Sequence, residues 1–592
     1  MLNVDFVRIL YVNLTTGEIR TEDRADLLRD YLGGTGVAMR LLDELVHDDR
    51  DPLDPAQPVV FAIGPLTTIF PVVTKTAATF RSPLTGEYGE SHAGGHFSSS
   101  LRYAGYDALV LTGAAERLVY LVIDGEQVEI RAADAMAGMD VIETGRIIRD
   151  RIEGAGHRSI IRIGPAGEAR PGRASIRYAN VNVDTFRHFG RLGLGTILGS
   201  KNLKAIAVIG QQHLGLPDDS RTYKKVYAEV YDRVLHTDAM KKYHELGTPA
   251  NILPLNELGA LPTYNVRQGY FGQADEISGE AFAENELITK RACAGCQIGC
   301  IHVALYRRPF APGWEYESTM VAYDHELVYA VGSLLGVGDR PDVLRLIEVI
   351  DKAGMDVISC GTALAWATEA MEQGVLQPEQ FEGIDLRWGD AERYAQAVAA
   401  IVRGEGEVAR WLGQGEVAAA RHFGGQAYVA AVGGQGIAGY WTGYAHVLGH
   451  LLGARHSHLD NAGYAIDQKL DPYTGEAIVD RIIADEAERI VQTSTAICLF
   501  ARGVYDLETI SRALGSVGIE RSVAELQAMG ERIYWERVRL RDRLGFQARL
   551  EDVPSRFYET PTPRGQLEPE RIGRMLEIYQ ARRASALRQG GE

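Results

Sequence analysis

Three of the five cysteines in this 592-residue chain fall within eight positions, Cys293-Ala-Gly-Cys296-Gln-Ile-Gly-Cys300. No other stretch constrains the fold so tightly, because the sulfurs of a C-x2-C-x3-C triplet converge only if the loop folds back around one centre. Gly295 and Gly299 permit that reversal. A fourth ligand is needed, and the sequence offers His302, Cys360 or the distant Cys498. Closure by a remote cysteine suits a cubane [4Fe–4S] cluster, in which each iron takes one thiolate. Closure by His302 suits a structural Cys3His zinc, although its one-residue gap from Cys300 is tight for tetrahedral wrapping. Three unligated thiols are the remaining reading, and buried free cysteines rarely cluster in this way.

The rest of the composition narrows the class. A formal net charge of −17 opposes a surface that tracks nucleic-acid phosphates, so no nucleic acid is expected as partner. No 18-residue apolar run occurs, so no membrane span is expected. The first residues, Met1-Leu-Asn-Val-Asp-Phe, lack the basic start and apolar core of a signal peptide. Cysteines gathered in one metal-like motif suit a reducing compartment, and the expectation is a cytoplasmic protein.

Residues 1–210 read as β-rich. Phe6–Leu14 and Glu18–Thr21 form a hairpin turning at Gly17. Short apolar or β-branched runs follow at Val59–Ile63, Ala108–Leu111, Val119–Ile123, Val128–Ile130, Ile160–Ile163 and Ile206–Ile209, punctuated by Gly and Pro. Helical spacing intrudes at 25–46 and 141–153, so the region is α+β. Beyond 211, three-and-four spacing predicts helices at Tyr223–Leu246, Pro341–Ala353, Ala391–Leu412, Val479–Leu499 and Val523–Leu544. The last opens on a Ser522/Glu525 capping box. No internal repeat is visible, and the Pro- and charge-rich tail after 556 reads as a surface wrap. The expected organisation is a β-rich domain over 1–210 and mainly helical domains over 211–420 and 421–592. The middle one carries the cysteine triplet, and the last carries Cys498.

Several loops carry candidate chemistry. Arg187-His-Phe-Gly190-Arg191-Leu-Gly-Leu-Gly195 combines bare backbone N–H groups with two guanidiniums, which suits a phosphate-bearing cofactor as well as a plain turn. Glu90-Ser-His92-Ala-Gly94-Gly95-His96 sets two imidazoles around a double glycine. Glu315-Tyr316-Glu317 offers a carboxylate base beside a phenolic donor, or a solvated acidic loop. Tyr323-Asp-His-Glu326 follows as a polar–aromatic run. Arg455-His456-Ser-His458-Leu-Asp460-Asn461 concentrates polar groups in an apolar neighbourhood, and either histidine can serve as metal ligand or general acid.

Taken together, these strings resemble the aldehyde:ferredoxin oxidoreductase family. The likeness includes Val12-Asn-Leu-Thr-Thr-Gly17, Gly64-Pro-Leu-Thr67, Ser82-Pro-Leu-Thr-Gly86, Ile163-Gly-Pro-Ala-Gly-Glu168 and Gly199-Ser-Lys-Asn-Leu-Lys-Ala-Ile-Ala207. The cysteine triplet belongs to it too, with Cys498 as the remote fourth. The resemblance implies a [4Fe–4S] cluster on Cys293, Cys296, Cys300 and Cys498. It also implies tungsten (or molybdenum) held by two pterins lying on the β-rich platform, with magnesium as an optional bridge between the pterin phosphates. Pterin contacts would fall on Lys75, His92, Gly94, Gly95, Arg187, Gly190 and Arg191, and on two D-x-x-G-L-(D/C) turns. The first turn is Asp351-Lys-Ala-Gly354-Met355-Asp356. The second is Thr493-Ser-Thr-Ala496-Ile497-Cys498, where Thr493 and Ala496 replace the acid and the glycine.

Catalytic roles implied by the resemblance fall on Glu317 with Tyr316 as activator of water, and on His458 as donor to the substrate oxygen. The implied reaction interconverts aldehydes and carboxylic acids, with electrons leaving to a ferredoxin or an iron–sulfur subunit, in a homodimer or larger complex. An aromatic acyl-thioester reductase subunit and a non-catalytic electron-transfer subunit are the alternatives. Departures from the family are Lys75 and His92, where it has arginine and asparagine, and Arg345 and Glu348 at its E-x-x-H interface site, where no metal is expected.

Overall fold

The computed structural model describes residues 4–589, apart from 154–155, 170–174, 216, 312 and 314. The α+β reading holds: two six-stranded mixed sheets occupy residues 7–210, and a mainly helical region follows. Period-two alternation decides which side of the first sheet faces what. In Val7–Asn13, Leu10 and Val12 enter a core between the two sheets with Phe61, Leu121, Ile161 and Val208. Val7 and Ile9 turn instead toward a larger core that continues into the helical region. The first turn forms as expected, since the Asn13 side chain accepts from the N–H groups of Thr15 and Thr16. Gly17, at φ +73°, completes it by donating to the Asn13 carbonyl at 2.8 Å.

The sheets share a chain path although the sequence shows no internal repeat. The first sheet runs Ile19–Arg24, Val7–Asn13, Ala108–Thr112, Val59–Ala62, Thr76–Arg81, Tyr88–Ala93. From its opposite end the second runs Gln127–Ala132, Val119–Asp124, Leu203–Gly210, His157–Arg162, Val181–Val183, Arg187–Phe189. In both, an edge hairpin leads to a central strand and two more strands outward. A short helix (Phe97–Ala104 or Leu194–Ser200) then returns the chain to a strand parallel to the first. The duplication is one of path rather than of residues, which is why no repeat shows in the sequence.

Each half of this platform receives one turn of the helical region, in matching fashion. At Asp351–Asp356, Gly354 has φ +76°, its carbonyl accepts from Asn180 N–H at 2.9 Å, and Asp356 N–H donates to Tyr178 O at 3.0 Å. At Thr493–Cys498, Ala496 has φ +64°, its carbonyl accepts from Lys75 N–H at 3.1 Å, and Cys498 N–H donates to Val72 O at 3.1 Å. The approach is close enough to require glycine. A Cβ on Gly164 would meet Ala353 O at 2.3 Å, and one on Gly64 would meet Thr495 O at 2.2 Å.

Helix bounds depart from the sequence reading where glycine intervenes. The expected Ala391–Leu412 helix is two, Ala391–Arg403 and Gly406–Leu412, broken at Gly404 with φ +66°. Tyr223–Leu246 shortens to Ser220–Leu235, whereas Val523–Arg543 keeps its Ser522/Glu525 box. The tail does not merely wrap, because Pro569–Gln589 is helical. Val357–Glu372, missed by periodicity, is buried from Val357 to Ala370 and so shows no apolar stripe. Three stretches expected as loops are not loops. Tyr88–Ala93 and Arg187–Phe189 are strands, and Glu315–Tyr323 pairs with Ile301–Ala311 in a three-stranded sheet completed by Leu287–Arg291. Among the described residues no helix is long and apolar enough to cross a membrane.

The two docked turns generate a pair of opposed predictions. Gly64→Val forces the Thr495 carbonyl away and lowers stability by about 2 kcal/mol or more, read by urea denaturation. Ala496→Gly relieves a left-handed alanine and raises stability by roughly 0.5–1 kcal/mol in the same assay.

Candidate active site

The turn Thr493–Cys498 sets one wall of a buried site. Cys498 N–H bonds Val72 O, Val72 N–H bonds Gly295 O at 3.0 Å, and Ala294 N–H bonds Gly95 O at 3.0 Å. These bonds hold the cysteine loop and Cys498 on the same edge of the first sheet. Gly94 must lack a side chain, because a Cβ there would lie 2.5 Å from Cys293 Sγ. Burial, reinforced by neighbouring Cys498 and Cys293, pushes the Cys296 thiol up to about 12. Burial raises Cys300 too, again with Cys498 and Cys293 as neighbours. Lys75 projects among them. Burial disfavours its ammonium, but the sulfurs of Cys498, Cys293 and Cys300 raise its pKa above the ordinary value.

The other two candidate fourth ligands lie elsewhere. His302 is buried with Nε2 3.1 Å from His244 O and Nδ1 3.5 Å from the Tyr323 hydroxyl. Cys360 is fully buried in the helix Val357–Glu372, beside Asp356 rather than the other thiols. Among the described residues, no three His, Cys, Asp or Glu side chains form a set that could hold a single metal ion.

Next to the thiols stands Arg187, and the second loop arginine, Arg191, lies toward Asp356. Arg187 pairs with Asp324 at 3.0 Å, and its Nε and Nη2 have no partner within the protein. Arg191 reaches Asp356 at 3.2 Å and Gly436 O at 2.7 Å, leaving Nη1 free. Asp356 also caps the helix Val357–Glu372 by accepting from Ile358 and Ser359 N–H. Burial, with Asp324 as a second acid nearby, pushes Asp351 up to about 8. Met355 is buried and accepts from Asn180 Nδ2 at 2.7 Å, while Ile497 is buried against Val73. Gly190 faces open space. His92 bonds Glu90 at 2.7 Å and Thr35 at 3.3 Å, and burial lowers its pKa.

Beyond Arg191 lies a cluster of buried histidines and tyrosines. His458 Nε2 is 3.1 Å from Glu326 Oε1, and the Tyr440 hydroxyl donates to the same oxygen at 3.4 Å. The Tyr440 ring lies 4.8 Å from that of His458. Burial alone would raise Glu326, but the His458 hydrogen bond and charge outweigh it and hold the carboxyl at about 2. Both nitrogens of His446, Nε2 of His450 and Nδ1 of His458 are buried with no partner in the protein. Burial drives His446 down to about 3, so its ring is neutral. His456 is excluded from this cluster: its two nitrogens bond His450 O at 2.8 Å and Glu87 at 2.7 Å.

Glu317 and Tyr316 require correction. Both sit on the exposed end of the hairpin, where Glu317 pairs with Arg308 and Arg307 lies 4.2 Å from the Tyr316 ring centroid. A carboxylate that is 46% exposed and ion-paired on a protruding strand is not in the buried cluster. Glu326 is, and the sequence signal for it was the Tyr323-Asp-His-Glu326 run. Arg345 and Glu348 pair with Glu392 and Lys352.

The chain can now be set beside known proteins. Residues 9–210 match the family described as aldehyde ferredoxin oxidoreductase, N-terminal domain, and residues 225–584 match its domains 2 and 3. The chain belongs to the aldehyde ferredoxin oxidoreductase family. A tungsten-containing aldehyde ferredoxin oxidoreductase of Pyrococcus furiosus is 32% identical over 590 residues, spanning 94% of this chain and 92% of that protein. The WOR-like subunit of an aliphatic sulfonate oxidoreductase from the same organism is 27% identical over 598 residues, spanning 94% and 90%. Among solved structures, the active site complex of benzoyl coenzyme A reductase with 1,5-dienoyl-CoA gives a TM-score of 0.84 at 21% identity. It covers 98% of this chain and 95% of that chain, a likeness of fold.

Aldehyde ferredoxin oxidoreductase membership makes this an oxidoreductase family member and implies a tungsten or molybdenum bis-pterin cofactor with ferredoxin-type acceptors. The residues present fit such a cofactor. Arg187, Arg191, Asn180 and Gln435 each bury a polar atom that no protein group satisfies, and such orphans call for a polar ligand.

The Asp351 carboxyl gives this site a signature in the cofactor-free protein. It titrates near 4 when unfolded and at about 8 when folded. The folded state therefore holds the extra proton between those values, and stability falls as pH rises through that window. Urea denaturation at pH 5 and pH 8 should show that fall, and Asp351→Asn should shrink it by about 1 kcal/mol or more.

Proposed function

We propose that this chain interconverts aldehydes and carboxylic acids with a tungsten (or molybdenum) bis-pterin cofactor, a [4Fe–4S] cluster and a ferredoxin-like acceptor. The observation that carries the reading is the buried His458–Glu326 pair, lined by tyrosine and histidine, in a chain with four neighbouring thiols. The net reaction is RCHO + H2O → RCOOH + 2 H+ + 2 e−. The cofactor supplies the two-electron redox chemistry when bound. Arg187, Arg191, Lys75, His92, Gly94, Gly95, Gly190 and the turns at Asp351–Asp356 and Thr493–Cys498 would hold it. Magnesium between the pterin phosphates is compatible with that set. Cys293, Cys296, Cys300 and Cys498 would ligate the cluster, one thiolate to each iron.

The protein's own part is proton handling. Glu326, kept ionised, accepts the His458 Nε2–H and fixes that tautomer. The Nδ1 lone pair, buried and without a protein partner, would then take a proton from the attacking water. Once protonated, the same Nδ1–H donates to the oxygen where charge develops. Tyr440 steadies Glu326 from the other side. His458 thus replaces Glu317 as the base, with Glu326 as its positioning residue.

A second reading, reduction of an aromatic acyl-thioester, draws on a different feature. A cavity of about 890 Å³ opens between Leu84, Trp411 and Phe546 and carries Arg177, Arg421 and Arg549, the last paired with Glu551 and close to Asp552. That volume and charge suit a phosphate-bearing carrier. Aldehyde-dependent viologen reduction supports the first reading, and oxidation of reduced viologen by an aromatic acyl-CoA supports the second.

Metal analysis of an anaerobic preparation should find about four irons and tungsten or molybdenum near one per chain. Their absence sinks the catalytic reading. Cys498→Ala should lose the iron and Cys360→Ala keep it. Glu326→Gln and His458→Gln should each lower kcat by about 10²–10³-fold at unchanged metal content. Glu317→Gln should stay within about threefold of wild type, as expected of an exposed surface pair.

A further inference from the structure

The three-stranded sheet that carries the cysteine loop has a face that is covered at one end and open at the other. The loop lies between Leu287–Arg291 and Ile301–Ala311, and it reaches the surface at Arg291, Ala292 and Gly295. Cross-strand register fixes which residues share a face: Arg291 with Ile301, Thr289 with Val303 and Ala322, Leu305 with Met320, Arg307 with Ser318, Pro309 with Tyr316. The inner end of this face is closed, since Ile301, Val303 and Ala322 pack with Phe186 and Cys293. Its outer end is open, with Leu305 39%, Met320 49% and Tyr316 37% exposed. An apolar strip thus runs outward from the side chain of a proposed cluster ligand.

The charge on the strip is one-sided. From Leu287 to Ala311 the sequence contains Lys290, Arg291, Arg307 and Arg308 and no carboxylate, in a chain of net charge −17. Glu317 lies on the opposite face, paired with Arg308. The face with Leu305 and Met320 therefore presents Arg291 and Arg307, and the acids that border Met320 at its inner edge are Glu348, buried on Lys352, and Asp351. An exposed β-hairpin with two large apolar side chains and two guanidiniums is a costly surface for a solitary chain, and a suitable one for an acidic partner.

We propose that this face docks an acidic one-electron iron–sulfur carrier protein, with the cysteine loop at the centre of the contact. The proposal rests on the aldehyde-oxidising reading for its electrons, and it adds where they leave. The balance is RCHO + H2O + 2 carrier(ox) → RCOOH + 2 H+ + 2 carrier(red), one electron per docking event. Leu305 and Met320 supply apolar contact. Arg291 and Arg307 steer the approach, which makes the encounter salt-sensitive.

The test uses the metal-loaded full chain and a purified acidic [4Fe–4S] ferredoxin as probe. Binding is measured by calorimetry at low and high salt, and turnover by aldehyde-dependent reduction of ferredoxin and, separately, of benzyl viologen. In Leu305→Glu/Met320→Glu and in Arg307→Glu, ferredoxin affinity should fall about tenfold or more, and ferredoxin-linked kcat/KM with it. Viologen reduction and iron content should stay at wild-type values, which excludes misfolding. Tyr270→Glu, at an exposed tyrosine outside this sheet, should change nothing.

Unchanged ferredoxin affinity in the hairpin variants overturns the proposal, as does failure of the wild type to bind ferredoxin. It is equally overturned if sedimentation shows a dimer that Leu305→Glu/Met320→Glu dissociates, since the face then meets a second copy. Should wild type bind ferredoxin through this face yet reduce no dye with any aldehyde, the docking surface stands and the substrate reading fails.

Discussion

Two short turns docked on a duplicated platform hold this molecule together. At each, a left-handed residue exposes its carbonyl to an N–H of the sheet region, and a second main-chain bond follows two residues later. The glycines opposite, Gly64 and Gly164, admit the turns only because they have no Cβ. Main-chain bonds are indifferent to side-chain identity, so Thr493 and Ala496 can replace an acid and a glycine with the geometry intact. The cysteine cluster and Arg191 are referred to these two fixed points. Cys498 and Asp356 are the sixth residues of their turns, and through them the thiols and Arg191 take their places.

Much of this was legible in the sequence. The cysteine spacing marked the loop whose thiols lie beside Cys498, and the apolar runs located the first hairpin and the inner strands of both sheets. Legibility failed for definite reasons. Tyr88–Ala93 carries a glycine and three polar residues and Arg187–Phe189 is only three residues long, so both look like loops. Val357–Glu372 is buried all round, and a helix without a wet side carries no 3.6-residue stripe. The duplication escaped notice because it survives in the path of the chain and hardly at all in its residues.

The buried carboxylate beside His458 shows a different kind of difficulty. Two acidic aromatic strings follow the cysteine loop, around Tyr316 and around Tyr323, and spacing does not say which is buried. The answer depends on how far the hairpin projects before the chain re-enters the core at His325–Val331. Strand register settles it. Glu317 is spent on Arg308 in solvent, whereas Glu326 follows the strand's buried end and meets His458.

The two turns also carry a consequence in their one difference. In one half the sixth residue is Asp356, which ends its work by capping a helix and gripping a guanidinium. In the other it is a sulfur facing three more. A scaffold built twice over is thereby made electrically lopsided by a single substitution of chemistry. Under the proposed chemistry one half would conduct while its twin insulates, and charge crossing the molecule would have one bank on which to land.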